Sequence, residues 1–285
     1  MDGLISKSQR AQVLVQALPY IQKYYGKTVV VKYGGNAIAD PELQRAVIDD
    51  IAFLHGAGVR VILVHGGGSE INAMLGRVGI EPRFVDGLRY TDPDTMEIVQ
   101  MVLCGKINKQ LAAQLSGRGA KALGLSGMDC ALLRARRRTD RDLGLVGEVT
   151  GVDAAALIGL LEQSFLPVIS TVAMGEDGGA LNINADTAAA AIAVSIGADR
   201  LALITDVKGV LRDKNDESTL IRALHVEEIA DLVESGVIAG GMLPKIDCCA
   251  GAVRGGVRGT AILDGREKHA VLRHLAGIGG GTTVL

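Results

Sequence analysis

Short, almost wholly apolar runs alternate along this chain with longer stretches in which apolar residues recur every three or four positions. Val29-Val30-Val31, Arg60–Val64, Lys121–Leu125, Leu166–Ser170 and Arg200–Thr205 have strand length, and continuous apolarity marks strands covered on both faces, as in a parallel sheet. Between them the spacing predicts helices. Ser6 caps one that runs to about Tyr25, with Val13, Leu14, Ala17, Leu18 and Ile21 on one stripe; the stripe either packs back on its own domain or meets another subunit. Pro41 opens a helix to about His55. Glu70–Leu75, a long helix over Asp94–Ser116, Val152–Gln163, the alanine-rich Thr187–Ala198, His225–Ser235 and the stretch after Lys245 follow, and Arg258–Leu263 and Thr282–Leu285 supply the last strands. Such alternation predicts an α/β fold, a three-layer αβα sandwich around a mainly parallel central sheet.

Polar residues and glycines cluster where the strands end. In Thr28–Asn36 the valine run is followed by Lys32 and then Gly34 and Gly35, a cation and bare amides at the carboxyl end of a central strand, where open α/β sheets bind ligands. That combination suits phosphate. The next strand ends in His65-Gly66-Gly67-Gly68-Ser69 and repeats the logic; His65 reads as a turn residue. No G-x-G-x-x-G occurs, and Gly26-Lys27-Thr28 lacks the first glycine of a P-loop, since position 21 is Ile. Asp86-Gly87 inside Phe84–Tyr90 signals a two-residue hairpin. Arg89 just beyond it is either a solvated cation or a bidentate clamp for a carboxylate. Asn182, Asn184 and Asp186 alternate ahead of the alanine-rich helix, either as its cap and first-turn acid or as groups that orient a ligand. Thr205-Asp206-Val207-Lys208-Gly209-Val210-Leu211 and Gly240-Gly241-Met242-Leu243-Pro244-Lys245 are further polar, glycine-bearing turns. The five arginines between Arg134 and Arg141, interleaved with Asp140, read as a solvated hairpin tip.

Composition narrows the partners. The chain has 285 residues, 48% hydrophobic and 22% charged, enough for one large domain or two lobes. A net charge of −2 supplies no positive field for nucleic acid, and 3% aromatics supply no stacking platform for it. Lys7, Gln9, Arg10, Gln12 and Gln16 interrupt every apolar run at the start, and no run approaches the ~20 residues of a membrane span. Cys104, Cys130, Cys248 and Cys249 show neither C-x-x-C nor zinc spacing and are read as reduced core thiols of a cytoplasmic protein.

The segments VVVKYGGN, VILVHGGGSEIN, FVDGLRYTD, LNINADTAAAAIA, LITDVKGVL and GGMLPK, in this order and spacing, resemble the amino acid kinase family. Within it they are similar to the branch that phosphorylates N-acetyl-L-glutamate, set apart by FVDGLRYTD from aspartokinases, glutamate 5-kinases and carbamate kinases. The resemblance implies transfer of the ATP γ-phosphoryl group to the side-chain carboxylate of N-acetyl-L-glutamate, the second step of arginine biosynthesis, with Mg²⁺ held through the phosphates. It implies that Lys32 and Lys245 stabilise the transferring group and that Asp186 holds both lysines. Gly34, Gly35 and Gly67 match backbone donors. Gly67, Gly68, Arg89 and Asn182 match substrate contacts, with Asn184 in the same motif, and Thr205, Asp206, Lys208, Gly209, Leu211, Gly240, Gly241 and Met242 match the ATP site. It divides the chain into residues 1–26, an N-terminal helix for assembly into a dimer or hexamer, 27–180 for the amino-acid substrate and 181–285 for ATP, on one continuous sheet.

Two lysines and glycine amides suit phosphoryl transfer, which needs positioning and charge neutralisation. A carboxylate acceptor, with a free pKa of about 4.3, is ionised at pH 7 and needs no general base. His274 and Ile278-Gly279-Gly280-Gly281-Thr282 stand where members of the family sensitive to L-arginine carry acidic residues, which argues against arginine as an effector. Two alternatives stay open: a sister kinase for N-acetylaminoadipate or carrier-linked glutamate, and a non-catalytic nucleotide-binding regulator, which would lack one of the two lysines that this chain keeps.

Overall fold

The triple valine lies at the centre of the molecule. In the computed structural model, which describes residues 6–35 and 40–285, Val29, Val30 and Val31 are wholly buried. Asn36, the last residue of the Thr28–Asn36 stretch, lies outside the described residues. In chain order, α1 (Lys7–Tyr24) starts from a capping box between Ser6 and Gln9 and leads into β1 (Thr28–Tyr33). The helix α2 (Pro41–Gly56), capped by Asp40, and β2 (Arg60–His65) follow, then α3 (Gly68–Arg77) and the hairpin of β3 (Phe84–Val85) and β4 (Leu88–Arg89). Its turn residues Asp86 and Gly87 both have positive φ, as a tight hairpin of this length requires.

Next come α4 (Pro93–Gln100), a π-helical segment at Met101–Ile107, α5 (Asn108–Ser116) and β5 (Ala122–Gly127). The antiparallel pair β6 (Leu133–Arg137) and β7 (Val146–Val152) precedes α6 (Ala154–Glu162), β8 (Leu166–Gly175) and β9 (Ala180–Ile183). The last third holds α7 (Ala185–Ser195), β10 (Arg200–Thr205), β11 (Ala223–Leu224), α8 (Ile229–Glu234), α9 (Leu243–Arg254), β12 (Thr260–Asp264), α10 (Ala270–Leu275) and β13 (Thr282–Val284).

Eleven of these strands form one sheet in the order β11-β13-β12-β10-β1-β2-β8-β6-β7-β9, with β5 also on β8. Its middle, β12-β10-β1-β2-β8-β5, is parallel throughout. Successive side chains of a strand face opposite ways, so each central strand feeds two cores. Val29, Val31 and Tyr33 join Val61 and Leu63 with Ile51 of α2, Leu111 of α5 and Val271 of α10. Val30 joins Ile62 and Val64 with Leu157 of α6, Ala189 and Ile192 of α7 and Ile246 of α9. Helices thus cover both faces, and the three layers expected from the alternation are present.

Several expectations need correction. Asp94–Ser116 is not one regular helix, because the π segment interrupts it. Val152 ends β7, and the helix starts after Asp153, whose side chain accepts from Ala156 N. The strand from Leu166 runs on to Gly175, and α10 carried no expectation at all. Arg134–Arg137 belongs to β6, so only the residues beyond it form the tip, where Arg138 clasps Asp140 and Arg141 pairs with Asp86 of the neighbouring hairpin at 2.7 Å. All four cysteines are free, but Cys130 is exposed, Cys104 and Cys248 are half-buried, and Cys249 alone of the four is a core thiol. On α1, Tyr24 reaches the core while Val13, Leu14 and Leu18 stay exposed. No helix among the described residues is long and apolar enough to cross a membrane.

Leu63 is fully buried on β2 between Val31 and Val168 of the adjoining strands. Leu63→Ala is expected to cost about 2–5 kcal/mol through lost burial and the cavity left behind. Urea unfolding of the two proteins measures it, and a loss under about 1 kcal/mol would mean that the surrounding core closes over the gap.

Candidate active site

The alternation that buries the valines also aims Lys32. It shares its face with Val30, towards α7 and α9, and its Nζ lies 2.9 Å from Asp186 Oδ1 as an ion pair. Asp186 is the second residue of α7, whose cap is the Asn184 side chain, accepting from Asp186 N and Thr187 N. Lys245, in the first turn of α9, donates from Nζ to Asp186 Oδ2 at 3.1 Å. Lys32 and Asp186 are only 7% and 8% exposed, so this charge pattern stands on mutual pairing and not on water. Burial by itself would raise the Asp186 carboxyl; Lys32 and then Lys245 outweigh it and hold the group below the usual carboxylate range. The trio carries one net positive charge where three elements meet. Gly34 lets Lys32 fold into that place, since a Cβ there would lie 2.7 Å from its pinned Nζ.

Open space lies on both sides of the trio. A cavity of about 240 Å³ is lined by Lys32, Gly34, Gly35, the Gly66–Gly68 turn, Arg89 and Asn182. A larger one, about 850 Å³, is lined by Asn184, Asp186, Gly240, Gly241 and Lys245 and by the tips of both hairpins, including Asp86 and Arg138. A third, about 830 Å³, is formed by Asp206–Asp213, Met242 and Arg266 and so takes in Lys208, Gly209 and Leu211. Thr205 lines none of these three; it is buried, and its hydroxyl accepts from Val207 N, which shapes the turn after β10. Lys208 is paired with Glu217.

Arg89 is no solvated cation. It is 9% exposed, stacks on Phe84 at 4.9 Å and donates from Nη2 to Gly68 O at 3.1 Å and Asn72 Oδ1 at 2.6 Å. Its Nη1 is buried with no hydrogen-bond partner. Arg89 lines the smaller cavity, and a guanidinium held by one nitrogen with the other unpaired keeps donors to spare, as a carboxylate clamp requires. Asn182 on β9 donates from Nδ2 to Thr91 Oγ1 at 3.1 Å. Asn72 and Thr91, which hold these two side chains, were not singled out in the sequence, although Asn72 sits in the VILVHGGGSEIN segment. Among the described residues no group of three His, Cys, Asp or Glu side chains is placed to hold a metal ion.

His65 is not a turn residue either. It is the last residue of β2, wholly buried, with Nδ1 3.0 Å from Gly66 O and Nε2 3.1 Å from Asn108 Nδ2. Burial pushes its pKa down to about 4. Between pH 6.5 and 4 the unfolded chain therefore binds a proton that the folded chain refuses, and stability falls as pH falls through that window. In urea titrations the wild type is expected to lose roughly 3 kcal/mol more over this range than His65→Asn; parallel curves would show that His65 titrates normally in the fold.

A family model described as the Amino acid kinase family matches residues 27–264. The chain is 51% identical over 263 residues to the acetylglutamate kinase of Synechocystis sp., covering 92% of this chain and 89% of that protein. It is 50% identical over 291 residues to the acetylglutamate kinase of Desulfitobacterium hafniense, covering 98% of each. Among solved structures, the N-acetylglutamate synthase of Neisseria gonorrhoeae complexed with coenzyme A and N-acetyl-glutamate superposes with a TM-score of 0.83 at 27% identity, over 96% of this chain and 63% of that longer one. The carbamate kinase of Giardia lamblia bound to AMP-PNP shares the fold at a TM-score of 0.68 and 18% identity, over 91% of this chain and 98% of that one. With a family model spanning most of its length and relatives of about half-identical sequence over nearly all of it, the chain belongs to the amino acid kinase family.

Proposed function

We propose that this chain transfers the γ-phosphoryl group of ATP to the side-chain carboxylate of N-acetyl-L-glutamate, in arginine biosynthesis in the cytoplasm. The observation that carries the chemistry is the buried Asp186 carboxylate with a lysine on each of its oxygens, between two cavities. The choice of acceptor is supported by the names of the relatives that are about half identical over nearly the whole chain. N-acetyl-L-glutamate occupies the smaller cavity, which is below the ~300–1,000 Å³ of sites for drug-sized ligands. The Arg89 guanidinium takes its α-carboxylate, and Asn182, Gly67 and Gly68 surround the rest. ATP lies along the Asp206–Leu211 turn and Met242, with its phosphates at Gly240, Gly241 and Lys245.

Lys32 approaches the transferring group from the acceptor side and Lys245 from the nucleotide side. Neutralising charge spread over the phosphoryl oxygens is the main service a protein can give this reaction. Asp186 keeps the two ammonium groups at a fixed separation that their mutual repulsion would otherwise widen. The acceptor arrives ionised at pH 7, so nothing in the site has to remove a proton. Mg²⁺ has no protein cage among the described residues and would ride on the nucleotide phosphates, its usual manner of binding.

ADP release in the presence of ATP is expected with N-acetyl-L-glutamate and not with free glutamate. Lys32→Ala should lower kcat by on the order of 10²-fold or more while ATP binding, read by calorimetry, survives. Equal turnover of N-acetylaminoadipate would favour the sister-kinase reading, and full activity of Lys32→Ala would remove the mechanism.

The exposed Val13, Leu14 and Leu18 of α1 support assembly into a homo-oligomer, a hexamer or a dimer, through this helix. Sedimentation is expected to show a smaller species for Leu14→Glu than for the wild type; an unchanged distribution would place the contact elsewhere.

A further inference from the structure

The Gly66–Gly68 turn bounds the acceptor cavity, and its peptide planes are set from behind by a buried polar chain. Asn108 is wholly buried at the point where the π segment passes into α5. Its Nδ2 lies 2.8 Å from Val168 O, 3.0 Å from Leu125 O and 3.1 Å from His65 Nε2. Two of those atoms are carbonyl oxygens, so the group facing them must be the NH₂ end of the amide, while Oδ1 accepts from Lys109 Nζ at 3.1 Å. The two hydrogens of that NH₂ are directed at the two carbonyls, so Nε2 shares one of them at most; the tautomer is fixed at the other ring nitrogen, where Gly66 O, which can only accept, lies 3.0 Å from Nδ1 and so takes the proton of the neutral imidazole.

The Gly66 carbonyl and the Gly67 N–H belong to one planar trans peptide and point in opposite directions. Fixing the carbonyl towards the buried histidine turns the Gly67 amide away from it. Gly67 N makes no hydrogen bond among the described residues, and Gly67 lines the acceptor cavity. Sideways movement of the turn is blocked as well. Gly67 rests on the π segment so closely that a Cβ would lie 2.2 Å from Ile107 Cδ1 and 2.8 Å from Leu103 Cδ2.

We propose that His65, as the Nδ1–H tautomer and packed behind by Asn108, is a positioning residue that orients the Gly66–Gly67 peptide so that the Gly67 N–H meets the acceptor carboxylate or the phosphoryl group passing to it. The inference rests on the phosphoryl-transfer reading of the site and assigns that reading a part in the layer behind it.

Two polar replacements separate orientation from simple filling of space. In His65→Asn the side-chain nitrogen can stand where Nδ1 stood; in His65→Gln it stands nearer the place of Nε2. The expected result is a kcat within about threefold of wild type for His65→Asn and a loss on the order of 10²-fold for His65→Gln, with KM for ATP unchanged in both. Equal kcat values for two folded variants would overturn the proposal. Nitrogen-15 spectra of histidine-labelled wild type give a readout independent of turnover: His65 is expected as the neutral Nδ1–H tautomer at pH 7, and the Nε2–H tautomer would overturn the proposal even if neither variant folds. Absence of ADP release by the wild type with N-acetyl-L-glutamate would refute the acceptor assignment, whereas the tautomer would still report on the peptide.

Discussion

A carboxylate buried between two ammonium groups ties a strand and two helices of this structure together at the site. Asp186 can sit at the base of α7 with 8% exposure only because Lys32 comes to it from β1 and Lys245 from α9. The loss of either lysine would leave a buried charge half-paired, which is among the costlier faults a protein interior can carry. The three groups come from three elements far apart in sequence, so the pairing also fixes how α7 and α9 lie against the sheet. Stability and chemistry draw on the same charges here, because the excess positive charge that the trio presents is what an anionic group in flight between two ligands requires.

The sheet supplies the rest by arithmetic. A period of two along β1 sends Val29 and Val31 to one core and Val30 and Lys32 to the other, so one residue of register separates a productive lysine from one buried beside α2 and α5. The same period along β2 sends His65 the opposite way from Lys32's neighbours, into the layer of α5. The acceptor cavity thus has its cation on one face of the sheet and the support for its glycine turn on the other. Such a division explains why two adjoining strands, each ending in glycines, both contribute.

Much of this was legible in the residues. The strands, the glycine turns at their ends, the Asp86-Gly87 hairpin and the lysine after the valines all leave local marks, because each depends on neighbours within a few positions. What the sequence hid depends on contacts made at long range. Asn72 and Arg89 stand 17 residues apart, His65 and Asn108 43, and Thr91 and Asn182 91. Glycines next to His65 suggest a turn, and only the arrival of Asn108 makes a buried strand end of it. The π segment is hidden for another reason: Met101–Ile107 keeps a helical apolar pattern, and one extra residue in a turn does not disturb composition. Thr205 shows the converse case, a residue inside a recognisable segment whose hydroxyl serves the backbone of the turn.

That extra residue has a bearing on how this part of the chain can vary over evolutionary time. Removing one position between Met101 and Ile107 would let the segment relax to regular α-helix without touching the loops at either end. A wide turn takes up its extra residue within itself, so α4 before it and α5 after it would keep their faces towards the sheet, Asn108 included. What would change is the spacing inside the segment: Leu103 and Ile107, four positions apart, would become three apart and no longer present the same surface to Gly67. The helix can thus lose a residue there without carrying α5 off the sheet, and the inherited quantity is the shape of the support beneath the glycine turn.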